Sequence, residues 1–321
     1  MSNYFQNQFL EGPKKNTQRI KNQFQSNLGF TLIELLVGLS LGVFIIGVAF
    51  IYFVSSAQTF KVQTNESLIQ ENARFALEVL TQNLRLAGLN PSNDVLLAQN
   101  LGTGLDALSS FCSADEQGLA DGDSGSTQCT VDNLNGNPNA SDRISVAYII
   151  EADDGAALAV RGCNNQLIDV PAGGRARLAN ILWTAASAGA PAGGARSLYC
   201  QTYDLDANQA LGAALPIIDG VDAIQFQYGV DSINNDGVVD TYQTITNVVN
   251  PVNIKMIRVA MLINSGLAID EDSDTEGIRD TEDAANVNGR TYNLLDAPGV
   301  VFNDRKLRQI FSTTVLLPNT I

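Results

Sequence analysis

The chain has 321 residues, 45% of them hydrophobic, and a formal charge of −15 without a single histidine. Ser-His-Asp and Cys-His catalytic sets are therefore excluded, as is His-ligated zinc or iron. The first 29 residues set Lys14, Lys15, Arg19 and Lys21 against Glu11, which leaves −18 on the remainder; binding to nucleic-acid phosphates, which depends on Lys and Arg, is not expected.

The first predicted element is a helix beginning at the only long apolar stretch, residues 30–54. At about 1.5 Å per residue it spans the hydrocarbon core of a bilayer. Basic residues before the span place the amino terminus in the cytoplasm and everything from about residue 55 outside it. A secretory signal peptide has a shorter apolar region, about 7 to 15 residues, followed by a small-residue cleavage site. Here the apolar run is longer, and the small residue, Gly29, stands before it. Glu34 is the one carboxylate inside the span, where a charge is costly unless it reaches the interface or finds a partner. Gly38 and Gly42 form a small-xxx-small pattern suited to close helix approach in lipid.

Beyond the span the helix continues as an amphipathic segment. Ile69, Ala73, Ala76, Leu80, Leu84 and Ala87 recur at steps of three and four, with Leu68, Phe75, Val79 and Leu86 widening the stripe. Gly88 is the expected cap, and Pro91 blocks continuation. Residues 93–141, rich in Gly, Ser, Asn and Asp, read as loops; a strand over Arg143–Ile150 follows, and residues 151–194 read as turns containing a core tryptophan, Trp183.

The pattern then sharpens. Ile224, Phe226 and Tyr228 alternate, Asn235-Asp236-Gly237 marks a hairpin turn, and a strand resumes at Val238. Further strands are predicted over Asn253–Ile263 and Arg308–Leu317, separated by a strongly acidic loop. A long helix followed by an antiparallel meander is an α+β fold.

Two features bear on chemistry. The four cysteines, Cys112, Cys129, Cys163 and Cys200, allow three pairings; in an oxidising compartment, Cys112–Cys129 and Cys163–Cys200 are favoured because each closes a local Gly-rich loop. Asn234, Asp236 and Asp240 cluster oxygens beside Gly237, as calcium requires, although an EF-hand register would put Ser232 first and Gln243 last. The run Asp270, Glu271, Asp272, Asp274, Glu276 is a second acidic candidate, against the plainer reading of a solvated loop. No other cofactor is indicated.

Gly29-Phe30-Thr31-Leu32-Ile33-Glu34 resembles the processing site of type IV pilins and type II secretion pseudopilins. The resemblance implies cleavage after Gly29 by a prepilin peptidase, methylation of the new Phe30 amine, and a role for Glu34 in filament assembly, with a neighbouring subunit's amine as its counter-ion. The stretches "ENARFALEVLTQNLRLAG", "IQFQYGVD", "IKMIRVAMLI" and "RQIFSTTVLLPN" resemble the PilW group of minor pilins, related to the J-type minor pseudopilins.

The implied fold is α+β and pilin-like, a long helix on an antiparallel sheet with disulfide-pinned loops. Its expected organisation is a cytoplasmic leader (1–29), a transmembrane assembly helix (30–54), an amphipathic continuation (55–90) and a periplasmic β domain (91–321). The implied role is priming or tip assembly of a type IV pilus, with other minor pilins and a PilY-like tip protein as partners and the inner membrane as the site of insertion. A J-type pseudopilin of type II secretion is the alternative. A membrane-anchored enzyme is the remote one, since no nucleophile or paired-acid motif supports it.

Overall fold

A computed structural model describes residues 30–89, 130–132, 141–187, 196–207, 209–234, 236–249, 253–268, 290–295, 300–302 and 306–318. Two compact units are present, one ending at Ser56 and one running from Ala57 to Ile321. The boundary falls inside a single 54-residue helix, α1 (Leu32–Arg85). In the first unit the helix is apolar all round and its large side chains, from Leu32 to Val54, are exposed. Such a helix is long and apolar enough to cross a membrane.

In the second unit α1 is a packed, amphipathic element. The six stripe residues expected to face the core are all buried. Leu68 and Phe75 are not; they stay 39% and 55% exposed. At 100° per residue they lie on the flank of the stripe, whereas Asn65 and Asn83 fall within it and are buried. Gly88, at φ +71°, follows the last turn as the cap.

Among the described residues twelve strands follow: β1 (Ile144–Glu151), β2 (Leu158–Arg161), β3 (Leu167–Val170), β4 (Arg175–Ala186), β5 (Arg196–Asp204), β6 (Gln209–Asp219), β7 (Val221–Val230), β8 (Thr241–Gln243), β9 (Ile254–Ala268), β10 (Arg290–Tyr292), β11 (Val300–Phe302) and β12 (Lys306–Leu316). They form two four-stranded antiparallel sheets, β1-β4-β5-β6 and β12-β9-β7-β8, and two hairpins, β2-β3 and β10-β11. The α+β class is as expected. The expected strands over Arg143–Ile150, Asn253–Ile263 and Arg308–Leu317 correspond to β1, β9 and β12. The turn-rich reading of residues 151–194 is corrected, because β2, β3 and the twelve-residue β4 lie there. The second hairpin strand starts at Thr241 rather than Val238, which is 63% exposed.

One core joins α1 to both sheets. Ile69, Ala73, Ala76, Leu80 and Leu84 pack with Ile144, Val146, Leu182 and Leu198 from the first sheet and with Ile224, Phe226, Ile257, Val259, Met261 and Val315 from the second. Burial of each such Ile, Leu, Val or Phe side chain contributes about 1.5–3 kcal/mol. The chain passes between sheets at Gly220, whose N–H donates to the Arg196 carbonyl (2.8 Å) and whose carbonyl accepts from Asn264 N–H (2.8 Å). Its φ of +83° is left-handed, and a Cβ there would stand 2.9 Å from the Asn264 carbonyl oxygen, so only glycine fits without strain. On its outer face the second sheet buries Ala223, Ala260 and Leu262 with Leu294, and Tyr292 and Phe302 of the β10-β11 hairpin pack there.

Candidate functional site

Three groups of residues bear on function: the start of α1, the disulfide region and the β7–β8 loop. At the start of α1, Thr31 precedes the first helical residue, Leu32. Its N–H and its hydroxyl both donate to Glu34 Oε2 (2.9 and 3.0 Å), while Glu34 N–H donates back to Thr31 Oγ1 (3.3 Å). This is a capping box: the N-cap hydroxyl serves the N3 amide and the N3 carboxylate serves the N-cap amide. Negative charge in the first turn also suits the helix dipole. Glu34 therefore satisfies a backbone donor and a hydroxyl of its own chain, a role beyond the intermolecular one expected of it. Phe30 is 88% exposed, and Gly29 lies outside the described residues. Gly38 and Gly42 have open space where a Cβ would be, leaving the helix backbone approachable along that face.

In the disulfide region, Cys163 and Cys200 are bonded, with Cα atoms 5.9 Å apart. Cys112 and Cys129, and hence their expected pairing, lie outside the described residues. A chain of buried polar groups leads from this disulfide to α1. Cys163 N–H donates to Thr202 Oγ1 (2.9 Å), Thr202 Oγ1 donates to Asn180 Oδ1 (2.9 Å), and Asn180 Nδ2 donates to Asn83 Oδ1 (2.8 Å). Asn83 Nδ2 in turn donates to the Val79 carbonyl (2.8 Å), and Tyr148 OH donates to Asn180 Oδ1 (3.2 Å). Burial pushes the Tyr148 phenol up to about 12, with the Asn180 hydrogen bond pulling weakly the other way. On the opposite face of β4, Trp183 is buried and stacks on Tyr199 at 5.9 Å between ring centroids, a packing role as expected.

The β7–β8 loop carries the expected metal-ligating residues. Asp236 accepts Val238 N–H on Oδ1 (2.9 Å) and Asn234 Nδ2 on Oδ2 (2.8 Å). Asp240 Oδ2 accepts the N–H groups of Ser232 (2.8 Å) and Ile233 (2.9 Å), closing the loop. A fourth residue joins them. Asp231, at the end of β7 and fully buried, accepts Gly237 N–H on Oδ2 (2.7 Å). Among the described residues no three Asp, Glu, Cys or His side chains converge closely enough to hold a metal by themselves. The second acidic candidate, Asp270–Glu276, lies outside the described residues.

The comparisons with known proteins add one finding at this point. The family model of PilW, type IV pilus-assembly protein W, matches residues 186–319. The chain is PilW-like. The matched stretch takes in β5, β6, the whole β12-β9-β7-β8 sheet and the β7–β8 loop, and the match supports a role related to type IV pilus assembly. The searches of curated proteins and of solved structures returned no match. The PilW match starts at residue 186, well beyond the end of α1 at Arg85, so the amino-terminal motif and the PilW-like region are separate observations.

The capping box was available in the sequence as a Thr-x-x-Glu spacing before an apolar run. Asp231 gave no comparable signal, because it stands five residues before Asp236 and its carboxylate joins the loop only when the chain folds back.

Proposed function

We propose that the protein is a minor pilin of a type IV pilus, anchored in the inner membrane by α1, cleaved after Gly29 by a prepilin peptidase and built into the complex that primes the filament or forms its tip. The observation that carries this reading is the joint occurrence of the Gly29–Glu34 motif opening an apolar helix and a PilW-like region at the other end of the chain. The amino terminus faces the cytoplasm and the β-rich unit the periplasm, following the basic residues before the span. Partners are other minor pilins and a PilY-like tip protein. The same motif opens type II secretion pseudopilins, and the PilW match favours the pilus over that machine.

Glu34 contributes twice in this reading. Before cleavage it caps α1. After cleavage, the new Phe30 amine gives a neighbouring helix a cation to offer, and the low dielectric of the membrane strengthens that attraction. The test is intact mass after co-expression with a prepilin peptidase. Loss of residues 1–29 with gain of one methyl group on Phe30 is expected. A chain retaining Gly29 beside an active peptidase and a processed control pilin overturns the reading. In processed material, Glu34→Gln preserves a polar cap and Glu34→Ala does not; both should lose piliation if the charge is needed between subunits, whereas rescue by Gln would leave only the capping role.

A further inference from the structure

We propose that the β7–β8 loop binds a divalent cation, calcium by preference, with Asp231 Oδ1 as its buried ligand. The two oxygens of Asp231 are treated unequally. Oδ2 accepts the Gly237 amide at 2.7 Å, whereas Oδ1 is buried and has no hydrogen-bond partner among the described residues. A carboxylate oxygen removed from water without a donor or cation is costly. The bond from Gly237, in the Asp-Gly turn, ties the Asp231 carboxylate to the loop. It holds the carboxylate at the end of β7 against the turn of the loop and leaves Oδ1 as the oxygen without a donor.

The remainder of the loop is built to accept such an ion. From Asp231 to Asp240 the sequence holds three aspartates and no lysine or arginine. Asp240 and Asp236 each use backbone amides to hold the turn, which spends the loop's local donors and leaves the negative charge uncompensated within it. The three carboxylates do not converge by themselves, so loop carbonyls, the Asn234 amide and water would complete the shell. Calcium accepts that mixture, taking six to eight oxygens in irregular geometry, whereas magnesium demands a near-ideal octahedron. The departure from EF-hand spacing is then no obstacle, because the first ligand is Asp231 rather than Ser232. This inference is independent of the pilus reading; it would hold for any protein with this loop.

The experiment uses the full chain in detergent, stripped with a chelator, and calcium alone as the probe, read by calorimetric titration and by the melting temperature. The wild type is expected to bind calcium and to melt higher in millimolar calcium than in chelator. Asp231→Asn should weaken binding at least about tenfold, since ligand charge sets affinity in such sites. Asp236→Asn, at an exposed position and still able to accept from Val238 N–H, should fold normally and weaken binding by a smaller factor. That second variant decides the matter if Asp231→Asn fails to fold. The proposal is overturned by a wild type whose melting is indifferent to calcium and which binds none. It is equally overturned by binding that neither substitution changes, which would assign the ion to another acidic segment such as 270–276.

Discussion

In the β12-β9-β7-β8 sheet a buried charged cluster lies at one end, where Arg308 of β12, Asn264 of β9 and Asp222 of β7 meet across three adjacent strands. Arg308 Nε donates to Asp222 Oδ2 at 2.6 Å and Asn264 Nδ2 to Asp222 Oδ1 at 2.8 Å. In the β1-β4-β5-β6 sheet a chain of neutral polar groups runs through the middle, from Tyr148 through Asn180 and Thr202 to the disulfide and outward to Asn83 of α1. The first arrangement sets a charged pair at one end of the sheet, while Ile224, Phe226, Ile257 and Val259 share the apolar core with the helix. The second places polar groups against the helix itself, so that docking of α1 there depends on hydrogen bonds with fixed partners as well as on buried area. An unmade bond in such a network costs more than a made one contributes.

The sharpest way to break this contrast is at the charged corner. Both side chains of the Asp222–Arg308 pair are about 3% exposed, and the guanidinium lies 3.7 Å over the Phe302 ring. Burial pushes the Asp222 carboxyl above its ordinary range, against the opposing pull of Arg308 and Asn264. Asp222→Asn should leave a buried guanidinium without its counter-charge and lower stability by about 3–5 kcal/mol in chemical denaturation. Adding Arg308→Met should recover much of that loss, because apolar replacement of a whole buried pair is often neutral. A double variant no more stable than the single one would mean that the corner matters for packing, not charge.

The other sheet should respond to its covalent tie. Cys163 and Cys200 are 37 residues apart in sequence, and loss of a crosslink over a loop of that size costs about 2–4 kcal/mol. Cys163 also presents its N–H to Thr202, next to Asn180 in the chain of bonds to α1. The paired Cys163→Ser and Cys200→Ser substitutions should therefore speed amide exchange in the last turns of α1 around Asn83 as well as in β5. Faster exchange confined to β5 would show that the network does not carry the effect to the helix.

The same contrast governs how much could be read in the sequence. The helix stripe, β9 and β12 were legible because apolar residues recur there at the period of their element. β4 was not, because its centre, from Leu178 to Thr184, is buried on both faces. Such a strand loses its alternation, and "RARLANILWTAA" mixes alanine, arginine and asparagine instead of β-branched residues. β6 was hidden differently: it is an edge strand with Pro216, Gly212 and two register shifts against β5, features that read as turns. At the amino terminus Glu34 stood out as a charge within an apolar run, but its bond to Thr31 is a matter of spacing, which attention to charge alone passes over. Asp231 was invisible because burial of one oxygen is a property of the folded loop.

The smallest effect expected is also the most specific to the neutral network. With its phenol raised from 10 to about 12 by burial, Tyr148 favours the folded state fully below the unfolded value and loses that advantage as pH rises through the folded one. Between pH 10 and 12 the unfolded chain ionises first, so stability should fall by about 2–3 kcal/mol over this interval from Tyr148 alone. Tyr148→Phe removes the titrating group and the hydrogen bond to Asn180 together. It should cost about 1 kcal/mol at neutral pH while flattening this part of the alkaline limb in pH-dependent denaturation. An alkaline limb of unchanged slope in Tyr148→Phe would place the titration elsewhere and would leave Asn180 held by Thr202 and Asn83 without help from the phenol.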